Sequence, residues 1–165
     1  FRDRHRIKGP FTVTGAGGPV TLTPFKVDHG DIEALGFRIG ALAYLPDVLS
    51  IPDDIWPALD NLDVWIVDAL RRTPHPTHAH LSLTLDWIAR AAPAEAIITN
   101  MHIDLDHAAV EAETPANVRA AYDHIPWHLP KYADLTLSEE LSIGTTQTQA
   151  GAGATLRAGS ATASR

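Results

Sequence analysis

The sequence predicts a layered α/β domain. Three observations lead there. The apolar segments of the first part are short and bounded by Gly, Pro and Asp. A continuous apolar run, Val64–Val67, is flanked by Asp63 and Asp68. After it come a helical pattern, a second short apolar run and another helical pattern. Strands first, then strand–helix–strand–helix, favours helices layered on a sheet over an all-β fold.

Each element follows from its own pattern. Residues 1–10 are basic and lack periodicity. Phe11–Val13 and Val20–Val27 read as strands around a turn at Gly15–Pro19. Val20, Leu22 and Pro24 alternate with Thr21, Thr23 and Phe25, as a half-buried strand requires. Phe37–Ile39 and Ala41–Leu45 make the next strand or hairpin, ending at Pro46-Asp47. Pro52–Leu59 reads as a short helix with Pro52 or Asp53 near its start. Val64–Val67 has the character of a strand buried on both faces. Thr77 or Ser82 opens a helix running to Ala91, with Leu81, Leu85, Ile88 and Ala92 on one face and Pro93 as its stop. Ala96–Thr99 is a second buried strand. Asp104 is placed to cap a helix from Leu105 to Glu113, and Pro115 begins a turn. The structured unit is therefore residues 1–123. Residues 124–137 are irregular. Residues 138–165, rich in Gly, Ala, Ser and Thr, have too little apolar surface to offset their ordering entropy and read as a disordered tail.

Composition narrows the function. With 165 residues, 45% hydrophobic and 20% charged, the chain can build one core. A net charge of -7 argues against general nucleic-acid binding. No apolar run approaches the roughly 18–20 residues of a membrane helix, and the charged start, Phe1–Arg6, is no signal peptide. Zero cysteines exclude disulfides, thiolate metal sites and cysteine nucleophiles, and suit a cytoplasmic setting. Nine histidines are present, three of them between Pro74 and Leu81. Any metal site must therefore use imidazole and carboxylate.

Four places put an acid or imidazole just after an expected strand: Asp28–Asp31 with His29, Asp47, Asp68, and Asn100–Asp104 with His102. A fifth cluster, His75, His78 and His80, lies on the loop before a helix. Loops at strand ends gather at one sheet edge, so these groups are placed to converge on a divalent cation. Each also has a plainer reading. A histidine after a strand commonly faces solvent, although Gly30 beside His29 permits close backbone approach. Asp47 also serves as a turn residue, and Asp68 reads as a structural cap. At most one or two of His75, His78 and His80 can face a common centre, and His107 reads as a solvated helix residue.

The combination goes further. Val27-Asp28-His29-Gly30, Tyr44–Asp47, Val64–Leu70, His75–His78, Ile97–Asp106 and Ala120–Asp123, in this order, resemble the C-terminal half of metallo-β-lactamase-fold hydrolases. Within that superfamily they are most similar to the phosphoribosyl cyclic phosphate phosphodiesterase branch. The resemblance implies an αβ/βα sandwich with two divalent metal ions, zinc or manganese, between its sheets. It makes His29 a metal ligand, Asp47 the bridging carboxylate and His78 the general acid facing phosphate. His102 stands in for a ligand that relatives carry directly after the strand threonine, where this chain has Asn100. His75 and His80 are assigned to substrate binding. The implied protein is a cytoplasmic hydrolase of a small, cyclic phosphodiester, compatible with a homodimer. Rival expectations are another ester, a thioester or an RNA end as substrate, or a non-catalytic half-domain. The hallmark His-x-His-x-Asp-His is absent from the 165 residues. The chain is accordingly expected to be the C-terminal part of such a protein, and inactive alone.

Overall fold

A computed structural model describes residues 6–123 and 125. Seven strands form one mixed sheet whose spatial order repeats the chain order. They are β1 (Phe11–Gly15), β2 (Gly18–His29), β3 (Ile32–Ile39), β4 (Leu42–Leu45), β5 (Val64–Asp68), β6 (Glu95–Thr99) and β7 (Val118–Ala120). β1 to β4 pair antiparallel, and β4 to β7 pair parallel. The antiparallel strands need only tight turns, with Gly30 and Gly40 supplying positive φ values of 72° and 58°. The parallel strands need crossovers. These are the 3₁₀ helix Asp53–Leu59, the helix α1 (Leu81–Ala91) and the helix α2 (His107–Glu113).

The crossovers bury one face of the sheet. Ala43, Leu45, Trp65, Val67, Ala96, Ile98, Val118 and Ala120 share a core with Trp56 and Leu59, with Leu81, Trp87 and Ile88, and with Val110. A smaller cluster of Leu42, Val64 and Ile97 lies apart from it, packed with Ile39, Ile66, Ala121 and Ile125. β5 contributes alternate residues to both clusters, which accounts for its unbroken apolar run. Gly36 lies where β3 passes the Phe25 ring; a Cβ there would come within 2.3 Å of it.

Several elements differ from the sequence reading. β3 begins at Ile32, five residues before the expected Phe37, so His29 ends β2 at a hairpin tip, opposite Ile32. The N-cap of α1 is His80, not Thr77 or Ser82, and its buried residues are Leu81, Thr84, Trp87 and Ile88. α2 is capped by Asp106, whose carboxylate accepts the Ala109 N–H, because Asp104 is engaged with His102. The three residues of β7 are too few to show a period, yet they extend the parallel sheet. The expectations for residues 126–165, the tail included, lie outside the described residues.

Candidate metal centre

Three chain segments meet at one edge of the sheet. The end of β2 is stitched to the loop after β4: Asp28 exchanges backbone hydrogen bonds with Ser50, and its carboxylate accepts the Ser50 hydroxyl at 2.7 Å. That loop is joined in turn to the segment after β5, where the Ala79 N–H donates to Val48 O at 2.6 Å. One ligand atom each of His29, Asp47 and His78 thereby lies within 4.8 Å of the others. Asp47 is exposed and the two histidines are half-buried. The rings of His29 and His78 meet edge to face at 4.5 Å between centroids, and the His75 ring lies 5.4 Å from that of His78.

Hydrogen bonds fix what each imidazole presents. His29 Nδ1 donates to Thr77 O at 2.7 Å, which leaves Nε2 with its lone pair. His78 Nδ1 donates to Asp68 Oδ2 at 2.8 Å. Asn100 Nδ2 also lies 3.4 Å from His78 Nδ1, but the shorter bond to a carboxylate decides the proton's place. Asp68 is fully buried and accepts also from Val48 N–H at 3.3 Å and Asn100 Nδ2 at 3.2 Å. Burial pushes its pKa upward, against the opposing pull of His78 and these donors. Its main-chain oxygen accepts the Thr84 hydroxyl, which ties α1 to the same point. Asp68 is thus the backing group of His78, a role the sequence reading passed over as a cap. The available signal was an acid at the end of a fully apolar strand, where solvation is lost.

Other expected site residues lie outside this group of three. His102 bonds through Nδ1 to Asp104 at 2.9 Å, and both side chains are largely exposed. That bond holds the Asp104 carboxyl below its ordinary pKa. His80 caps α1, its backbone bridged to Arg71. The pKa of His75 is lowered by desolvation, then by the neighbouring Arg71 and His78 charges. Asn100 adopts a left-handed conformation with φ 62°, which aims the chain from β6 toward Asp68. A cleft lined by Thr99, Asn100, Met101, Ala121, Tyr122 and Asp123 opens beside it.

Comparison with known proteins decides the family. The model of the beta-lactamase superfamily domain matches residues 2–103. The chain belongs to the beta-lactamase superfamily. Among solved structures, this superfamily member is similar to a diphosphatase of the PhnP family, at 32% identity and a TM-score of 0.71 over 76% of the chain. It shares its fold with YhfI from Bacillus subtilis (18% identity, TM-score 0.57, 72% of the chain) and with zinc-bound PqqB from Methylobacterium extorquens (17%, 0.55, 74%). The fold is thus the metallo-β-lactamase type, near the PhnP branch. A curated relative from Porphyromonas gingivalis named octanoyltransferase is 26% identical over 107 residues, 63% of the chain. The chain spans 22% of that relative and 48%, 52% and 55% of the three structures.

The donor set fits a divalent cation. Imidazole nitrogen, as His29 offers at Nε2, and carboxylate oxygen, as Asp47 offers, are ligand types that suit a divalent cation such as zinc or manganese, whose ligand atoms sit at about 2.0–2.2 Å from the ion. Among the described residues no second group of three such side chains occurs. No helix among them is long and apolar enough to cross a membrane.

Proposed function

We propose that this chain carries part of the active centre of a metal-dependent hydrolase acting on a small phosphodiester, a cyclic one foremost. The observation that carries the reading is the convergence of His29, Asp47 and His78, with buried Asp68 behind His78. Similarity to a PhnP-family diphosphatase supports phosphorus as the centre attacked. A cytoplasmic setting suits a chain without cysteine.

In this reading His29 Nε2 and the Asp47 carboxylate hold the cation, zinc or manganese. When bound, such an ion lowers the pKa of water and neutralises charge on the phosphate. His78 acts at Nε2. As imidazolium it donates that proton to the leaving oxygen, while Asp68 keeps Nδ1–H engaged and stabilises the charged ring. Exposed Asp47 leaves the centre open to a small substrate at the sheet edge.

The test is metal uptake by calorimetry, with elemental analysis, beside hydrolysis of an activated phosphodiester and of an acyl thioester by the whole protein. His29→Ala and Asp47→Ala are expected to lose the metal. His78→Ala is expected to keep it and lose turnover. Unchanged metal content in the first two would overturn the site. A preference for the thioester would replace the substrate class.

A further inference from the structure

The loop from Arg71 to His80 is braced on itself. Arg71 donates from Nε to Thr73 O at 3.2 Å and from Nη2 to Pro74 O at 2.8 Å. Backbone bonds from Leu70 N–H to Ala79 O and from Leu81 N–H to Arg71 O close its base at 3.0 and 2.9 Å. Thr77 sits inside this loop and touches two imidazoles with groups of opposite sense. Its carbonyl accepts from His29 Nδ1 at 2.7 Å. Its backbone N–H and its hydroxyl lie 3.3 and 3.2 Å from His75 Nδ1.

A carbonyl only accepts and a backbone N–H only donates. His29 Nδ1 therefore carries a hydrogen, and His75 Nδ1 carries a lone pair. In a neutral imidazole the far nitrogen takes the complementary state. His29 offers a lone pair at Nε2, whereas His75 offers an N–H there. His78 matches His29, through Asp68. A neutral His75 cannot ligate a cation through a protonated Nε2, but that nitrogen can donate to an anionic oxygen. Gly30 locks the arrangement from the other side: a Cβ there would stand 2.6 Å from Thr77 Cγ2 and 3.1 Å from Pro76 O.

We propose that Thr77 is a positioning residue that sorts the tautomers of its two histidines, and that His75 is the neutral Nε2–H donor to a non-bridging phosphate oxygen beside the His29, Asp47 and His78 group. The phosphate half rests on the hydrolase reading above; the tautomer half does not.

The experiment uses the full chain with ¹⁵N-labelled histidine, without metal, at a pH well above the ordinary imidazole pKa of about 6.5. Long-range ¹H–¹⁵N spectra distinguish the two tautomers. The resonances missing from His75→Gln are expected to show Nε2–H, and those missing from His29→Gln and His78→Gln to show Nδ1–H. Inorganic phosphate should then shift the His75 Nε2 signal. Thr77→Val, which removes the hydroxyl but keeps the backbone N–H, should retain the His75 Nε2–H tautomer yet weaken phosphate binding about two- to tenfold, the scale of one hydrogen bond. Thr77→Ser, which keeps the hydroxyl, should match the parent. His75→Gln, which keeps a terminal N–H, should bind phosphate better than His75→Glu, which has none. An Nδ1–H pattern for His75, or unchanged phosphate affinity in Thr77→Val, would overturn the proposal. Because the tautomers are read without metal or substrate, a failure of the hydrolase reading appears separately, as absent metal uptake.

Discussion

Asp68 accepts three hydrogen bonds through two oxygens and donates none. Asparagine has the same shape but must present an NH₂ to one of those donors. In Asp68→Asn the amide is therefore set against Asn100, Val48 N–H or His78, and the imidazole loses its fixed orientation. Expected is a fall in turnover of about 10- to 100-fold, typical of a lost supporting carboxylate, with metal stoichiometry retained. Steady-state kinetics beside elemental analysis reads both. His29, Asp47 and His78 were legible in the sequence because their short motifs recur in a recognisable order. Asp68 was not, because an acid at a strand end looks the same whether it faces water or backs an imidazole. Only its complete burial and its partners distinguish the two. His102, marked by its motif, has its side chain bonded to Asp104 and lies outside the group of three.

The β2–β3 hairpin depends on one residue without a side chain. Gly30 has φ 72°, and its Cα faces Thr77 at a distance no Cβ tolerates. Gly30→Ala is expected to lower stability by about 1–3 kcal/mol from backbone strain alone. It should also loosen the bond between His29 and Thr77. Gly15→Ala, where a Cβ meets nothing within 4 Å and φ is not positive, is the neutral comparison. Denaturant midpoints of the two variants give the difference. This hairpin was also only partly visible in the pattern, since Ile32–Gly36, with Glu33 and Gly36 in it, shows too little apolar alternation to mark the start of β3. The cap of α2 was misplaced for a related reason. Asp104 and Asp106 both precede the apolar stretch, and a contact with His102, invisible to local patterning, decides between them. Elements with long or unbroken apolar signals, β5, α1 and β6, stood where the pattern put them, within a residue or two at most ends.

Across the whole molecule, Trp65 joins the sheet to the helical layer. It is fully buried in the main cluster, and its indole Nε1 has no hydrogen-bond partner among the described residues. An orphaned buried donor costs about 1–3 kcal/mol, which offsets part of what the ring contributes. Trp65→Phe is therefore expected to change stability by no more than about 1 kcal/mol, because relief of the orphaned N–H compensates the lost ring area. Trp65→Ala is expected to cost about 3–5 kcal/mol through the cavity it opens. Urea denaturation of both variants checks the contrast; a phenylalanine variant as damaged as the alanine one would show that the indole nitrogen is satisfied. At this scale the α/β class was legible from the order of patterns alone. The split of the sheet into an antiparallel and a parallel half was not, because strand direction follows from the connections and not from the strands themselves.

The agreement between strand order and chain order has a kinetic consequence. Each strand finds its partner in the next segment of chain, so loop-closure entropy is small at every step and the sheet can grow by local additions. The residues of the candidate centre are distributed differently. His29 ends the second strand, Asp47 follows the fourth, and His78 follows the fifth on a loop whose Thr77 must also meet His29 and Gly30. The centre therefore comes together only after the antiparallel half, the reversal of strand direction and the first parallel crossover are all in place. In a refolding time course, high-affinity metal uptake is expected to lag the formation of sheet signal and to coincide with the last native phase. A cation present from the start would then stabilise the finished molecule without hastening its growth.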